Sequence, residues 1–216
     1  MARILEVEVM NDPASVDAYT AVTSTGGLGI KISTKLAGSV ESLQIADIGC
    51  GNCGYYSYLN TLYPNSFFTA YDASSLMLEK AAKTTGLHRI KLVNSYIPDS
   101  TLPNNNFDLV ISSLLLHQLP DHSALWQTIK QIGKTGAKFV VFDLLRVEDS
   151  NEAWAVVNET TEQAPDVFKK DFFNSLRAAF TLEEIQQQLL EAGLVATIET
   201  QEIYPNCSVI YITGTL

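Results

Sequence analysis

The chemistry legible in this chain concentrates in one loop, Asp47-Ile48-Gly49-Cys50-Gly51-Asn52-Cys53-Gly54, and in a second acid, Asp72. Gly49 and Gly51 allow a tight turn and let a ligand approach the backbone. A Gly-x-Gly turn alone fits several nucleotide sites, nicotinamide and flavin sites among them. The carboxylate two residues before Gly49 narrows the choice, because Asp47 would repel a pyrophosphate and attract an ammonium group, directly or through water. Asp72 lies 23 residues after Gly49, where a carboxylate accepts hydrogen bonds from both hydroxyls of a ribose. Together the two acids select an amine-bearing nucleoside without phosphates, which is S-adenosylmethionine.

Other reactive side chains are scattered. Cys50 and Cys53 form a C-x-x-C, but a redox or zinc reading needs a second pair or a thioredoxin-like context, and neither is present, so no metal is expected. Cys207 reads as a small buried apolar residue. His117 and His122 flank a turn, and a histidine there could serve as general base; His88 reads as surface. Asp143 and Arg146 follow an apolar run. Arg146 either grips a substrate carboxylate or braces Asp143 or Asp47. Tyr19 and Tyr55 are candidate lid phenols.

These residues need elements to position them. The runs at 44–48, 66–71, 90–93, 107–111 and 138–142 are short and almost wholly apolar or β-branched, as expected of parallel strands covered on both faces. Helices are expected over 55–63, 74–84 (closed by Gly86) and 123–132 between them, which predicts a doubly wound α/β domain. A further helix over 181–191 opens with a capping box, Thr181 and Glu184, and ends at Gly193. Segments 195–203 and 208–213, joined by Tyr204-Pro205-Asn206, read as a terminal hairpin. The expected architecture is a Rossmann-like seven-stranded sheet, mostly parallel with a C-terminal antiparallel hairpin, helices on both faces and a helical cap. Residues 1–40 and 146–180 fit no β–α unit. The latter carry Trp154, Phe168, Phe172, Phe173 and Phe180, which either wall a substrate site or pack the extra helices onto the body.

Composition sets the outer bounds. The chain has 216 residues, 46% hydrophobic and 18% charged, enough for one domain with a real core. Its net charge of −10 disfavours nucleic acid as a partner. No apolar run reaches the roughly 18–20 residues of a membrane span, and the first residues lack the apolar core of a signal peptide. A single cytoplasmic domain is expected, with a small molecule as partner; a homodimer is compatible with these data.

The sequence resembles a class I S-adenosylmethionine-dependent methyltransferase. The resemblance rests on Ile45-Ala46-Asp47-Ile48-Gly49-Cys50-Gly51, on Tyr71-Asp72-Ala73-Ser74-Ser75-Leu76-Met77-Leu78, and on Leu102-Pro103 through Phe107-Asp108-Leu109-Val110, within a cofactor-binding core of about 43–143. Leu114 through Asp121 and Asp143-Leu144-Leu145-Arg146 are similar to a small-molecule branch of that superfamily. The resemblance implies that Asp47, Gly49, Cys50 and Gly51 hold the methionine end and Asp72 the ribose. Ala73, Ser74 and Met77 would flank the adenosine, Ser95, Tyr96 and Ile97 would line the adenine, and Ser112 and Ser113 would lie near the sulfonium. It implies methyl transfer to a small-molecule acceptor, with His117 the best base and Arg146 and Tyr19 as further candidates. Two departures stand out: Cys53 replaces a third glycine, so Gly54 is expected to take over the turn, and Asn94-Ser95 replace an acid for the adenine amino group. Serines follow the fourth strand where a catechol-type metal site wants an acid, and no Asp-Pro-Pro-Tyr-like signature stands there. Two other readings stay open, an S-adenosylmethionine binder with a regulatory role and an NAD(P)-dependent reductase; Asp47 argues against the second.

Overall fold

In the computed structural model, the described residues are 1–6, 9–23, 27–84 and 88–216, with only the backbone of 27–30. Gly86, the expected end of a helix, lies outside them. Seven strands form one sheet: β1 Gln44–Ile48, β2 Phe67–Asp72, β3 Ile90–Asn94, β4 Phe107–Ser113, β5 Gly133–Leu144, β6 Ala196–Tyr204 and β7 Cys207–Thr215. Their order is β3-β2-β1-β4-β5-β7-β6. The first five are mutually parallel, and β7 runs antiparallel to both β5 and β6. This is the expected Rossmann-like sheet with its terminal hairpin. The strand order reverses between β1 and β4, so the loops leaving them diverge and open a crevice at the carboxyl edge.

The helices are α1 Pro13–Thr23, α2 Tyr56–Leu62, α3 Ser75–Ala81, α4 Ser123–Ile132, α5 Ser150–Thr160, α6 Asp166–Ala178 and α7 Leu182–Ala192. On one face of the sheet Tyr56, Leu59, Val156 and Leu176 pack against Phe68, Phe142 and Tyr211. On the other, Trp126, Ile129, Ile185 and Leu189 pack against Phe139, Val141 and Ile212. Trp126 also donates its indole N–H to Gln188 Oε1 at 3.2 Å, tying α4 to α7. Gly214 is needed for closeness, since a Cβ there would stand 2.4 Å from the Phe139 ring.

Two stretches depart from the expected bounds. β5 begins at Gly133 rather than 138, because the chain leaves α4 extended and pairs Gly133 with Phe107 before a bulge. α3 ends at Ala81, three residues short of the expected end at 84. The segment 146–180 forms α5 and α6; Asp149 caps α5 by accepting from Asn151 N and Glu152 N. Ahead of β1 lie α1 and a 3-10 helix, Gly27–Lys35. Among the described residues, no helix is long and apolar enough to cross a membrane.

Candidate active site

The loop after β1 hangs from the end of β2. Gly49 N and Cys50 N both donate to Tyr71 O, at 2.8 and 3.1 Å. Gly49 and Gly51 have φ of 76° and 53°, the left-handed region that glycine occupies without strain. Gly54 does not take over the turn. Cys53 itself adopts φ 56°, and Gly54 serves a different need: a Cβ there would stand 2.6 Å from Thr23 O at the end of α1.

Asp72 organises the next layer. Its Oδ2 accepts from Gly51 N and its Oδ1 from Ser74 N, each at 2.8 Å. Burial raises its pKa, and the two backbone N–H groups pull it back down. Ser74 caps α3 by accepting from Met77 N, and its hydroxyl donates to Met10 O at 2.7 Å. Asn94 donates to Asp72 O and Ala73 O, fixing the strand end.

These groups face a cavity of about 320 Å³. Gly49 and Gly51 line it from the first loop, Asp72, Ala73, Ser74 and Met77 from the second, Ser95, Tyr96 and Ile97 from the third, and Ser113 from the fourth. The Ser95 hydroxyl lies 3.0 Å from Asp99 Oδ2. The N-terminal segment adds Glu6, Val9 and Met10, and the β4 loop adds Leu114 and Leu115. No local pattern marked Met10, whose contact is with a residue 64 positions away.

A second cavity of about 410 Å³ adjoins the first. Met10, Tyr19, Gly49, Gly51, Ser113 and Gln118 are among the residues that line both. Cys50, Tyr55, His117, Phe168 and Phe172 line the second alone. Of the cap aromatics, then, Phe168 and Phe172 form wall. Trp154 stacks on Phe173 at 4.3 Å, and Phe180 packs under the Arg3 guanidinium and against His122. Burial, then the nearby Asp72 carboxylate, push the Tyr19 phenol up to about 12, so the phenol keeps its proton at neutral pH.

Three candidates lie elsewhere. Asp47 is fully buried beneath the loop and lines neither cavity; its Oδ2 accepts from the Tyr55 hydroxyl at 2.7 Å. Ser112 is also buried, donating to Ile48 O and so stitching β4 to β1. Arg146 lines neither cavity. Its Nη2 pairs with Glu184 Oε1 at 2.8 Å, so it is a brace, but neither Asp143 nor Asp47 is the partner.

His117 is buried and clamped. Its Nδ1 lies 2.5 Å from Asp143 Oδ1, and its backbone N donates to Asp143 Oδ2 at 3.1 Å. From the other side Arg3 donates to His117 O at 2.8 Å and Leu119 O at 2.9 Å. With Nδ1 engaged, Nε2 is the ring nitrogen left for the cavity. Burial favours the neutral imidazole, but the Asp143 carboxylate more than offsets it and the pKa is raised above 6.5. The sign follows: the pair's stabilisation is full below about 6.5, the unfolded value, and is lost as pH rises through the raised folded pKa. Thermal melts of His117→Gln beside the unaltered chain should show a deficit at pH 6 that narrows by pH 9; an equal deficit at both would refute the assignment. Among the described residues, no three His, Cys, Asp or Glu side chains are placed to hold a metal ion.

Comparison with known proteins agrees with this geometry. Residues 46–141 match a family model described as "Methyltransferase domain". Trans-aconitate 2-methyltransferase of Mycobacterium ulcerans (strain Agy99) is 29% identical over 128 residues, 56% of this chain and 44% of that protein. The Mycobacterium marinum (strain ATCC BAA-535 / M) protein of the same name is 28% identical over 120 residues, 52% of this chain and 42% of its own. The chain thus matches less than half the length of these curated relatives. Among solved structures, a SAM-dependent methyltransferase from Aquifex aeolicus superposes with TM-score 0.67 at 17% identity, over 94% of this chain and 98% of that one. The plantazolicin methyltransferase BpumL in complex with SAH gives 0.72 at 14% identity, over 94% and 91%. Phosphoethanolamine N-methyltransferase 2 of Haemonchus contortus, in complex with S-adenosyl-L-methionine, gives 0.69 at 15% identity, over 93% and 56%. The fold is that of the class I S-adenosylmethionine-dependent methyltransferases. The central segment 46–141 is similar to the methyltransferase domain model, and the whole chain shares the fold of these enzymes.

Proposed function

We propose that this chain binds S-adenosylmethionine in the first cavity and transfers its methyl group to a small-molecule acceptor in the second. The observation that carries the proposal is the junction of the two cavities at Gly49, Gly51, Tyr19 and Ser113. A group held by its ribose at Asp72 and by its amino-acid end at the glycine loop would present its centre there. The residues fit the cofactor. Each Asp72 oxygen uses one lone pair on a backbone N–H, which leaves the others for the ribose hydroxyls. A Cβ at Gly51 would meet nothing within 4 Å, so the backbone is open to a ligand. Asp47 Oδ1 is buried without a hydrogen-bond partner, a negative end under the loop suited to an ammonium above it.

When bound, the cofactor supplies a sulfonium methyl that needs no further activation. The chain's own task is then to orient an acceptor atom in line and exclude water. The walls of Phe168, Phe172 and Tyr19 exclude water. His117 Nε2 takes the acceptor's proton where the acceptor is a hydroxyl or a carbon acid, and Asp143 holds the resulting imidazolium. The test is a thermal shift followed by label transfer. S-adenosylhomocysteine should raise the melting temperature and NADH should not; the reverse result would favour a reductase. Labelled cofactor with a metabolite extract should then yield a labelled small molecule, and binding without transfer would leave a regulatory binder.

A further inference from the structure

The second cavity holds a positive charge with no ion-pair partner among the described residues. Lys31 is the one lysine or arginine among its described lining residues, in a chain of net charge −10. Most partly buried lysines here have a carboxylate: Lys35 has Glu199, Lys80 has Asp17 and Lys169 has Asp166. Lys83, Lys91, Lys138 and Lys170 form no ion pair among the described residues but are exposed to water. Lys31 is half-buried, faces the cavity, and has no acid partner among the described residues.

Among the described residues, no carboxylate that lines the cavity pairs with Lys31. The positive charge His117 acquires is matched by Asp143. Asp171 is the cavity's carboxylate among the described residues; one oxygen engages the Ser15 hydroxyl, Oδ2 is buried without a hydrogen-bond partner, and the charges acting on it are Lys170 and Asp12 rather than Lys31. Phe168 and Phe172 on the wall make the surroundings less polarisable than water, which strengthens the pull of a lone ammonium on an anion.

We propose that Lys31 makes the second cavity selective for a methyl acceptor that carries an anionic oxygen group, a carboxylate or a phosphate, on a body that packs against Phe168 and Phe172. This rests on the second cavity being the acceptor site. Lys31 is then a specificity residue: it fixes one end of the acceptor while His117 addresses the atom to be methylated.

The test uses calorimetry on the full chain saturated with S-adenosylhomocysteine. The probes are 3-phenylpropionate, phenyl phosphate, neutral 3-phenylpropan-1-ol and cationic phenethylamine. At least one anionic probe should bind about tenfold or more tighter than the alcohol, consistent with a charge-assisted contact; which one does so separates carboxylate from phosphate. Lys31→Met should remove that preference, and Lys31→Arg should keep it to within about threefold. S-adenosylhomocysteine affinity measured in each variant reports that the chain is folded. Failure to bind S-adenosylhomocysteine at all would remove the cofactor reading and this proposal with it. Binding of S-adenosylhomocysteine with no preference for anions, a preference for the amine, or a preference that survives Lys31→Met would overturn this proposal alone.

Discussion

Asp72→Ala should weaken S-adenosylhomocysteine binding by about a hundredfold or more, read by calorimetry at pH 7.5. Hydrogen bonds to a charged group contribute about 1.5–3 kcal/mol each, and two ribose hydroxyls would be lost together; about 2.7 kcal/mol already corresponds to a hundredfold. The substitution also frees Gly51 N and Ser74 N, which Asp72 now holds at 2.8 Å each. The glycine loop and the start of α3 would thus lose their common tether. Asp72→Asn keeps one acceptor oxygen and should fall between the two. An Asp72→Ala affinity within threefold of the unaltered chain would remove the ribose assignment, and with it the placement of the cofactor in the first cavity.

Asp47→Asn should act in the opposite sense on stability. Burial raises the Asp47 pKa from 3.8 to about 7, against the lowering effect of the Tyr55 and Tyr56 hydroxyls. Tyr55 donates at 2.7 Å, while Tyr56 OH and Asp47 Oδ1 are buried without a well-aligned partner. A folded-state pKa above the unfolded one means that stability is full below pH 3.8 and declines as pH rises to about 7. A shift of that size corresponds to a loss on the order of 4 kcal/mol by pH 8. Asparagine can still accept from Tyr55 and carries no charge. Urea unfolding should therefore find Asp47→Asn more stable than the unaltered chain at pH 8 and nearly equal to it at pH 4. The same variant should bind S-adenosylhomocysteine more weakly, because the ammonium group loses its counter-charge. A variant less stable at both pH values would show that the carboxylate is not strained by burial. Both results together would mark Asp47 as a group kept for the ligand at a cost to the fold.

Much of the architecture was legible because its signals are local. Short β-branched runs mark β1 to β5, Thr181 and Glu184 announce α7, and the Gly49–Gly51 turn with Asp72 points to the first cavity. What escaped depends on contacts between distant segments. Met10 reaches the site through a hydrogen bond to Ser74, and nothing around Met10 in the sequence encodes it. Arg146 is instructive because its partner, Glu184, has a second and locally encoded role. Glu184 closes the capping box with one oxygen, accepting from Thr181 N, and offers the other to Arg146. The geometry of a helix start thus decides the fate of an arginine 38 residues earlier. Cys53 shows the same limit at short range. Left-handed backbone favours glycine, so Gly54 was the natural candidate, but Thr23 O approaches Gly54 so closely that the small residue is needed there, and Cys53 takes the turn.

Tyr19 and Met10 stand on the boundary of both cavities, and on the proposed reaction this has a kinetic consequence. Whatever fills the second cavity presses on the same two side chains that flank the first, so an acceptor already in place would bar the cofactor's entry and its product's exit. Turnover would then follow a compulsory order: cofactor on first, acceptor second, methylated product off, and S-adenosylhomocysteine last. Initial rates would carry that signature, with S-adenosylhomocysteine competing against the cofactor but not against the acceptor.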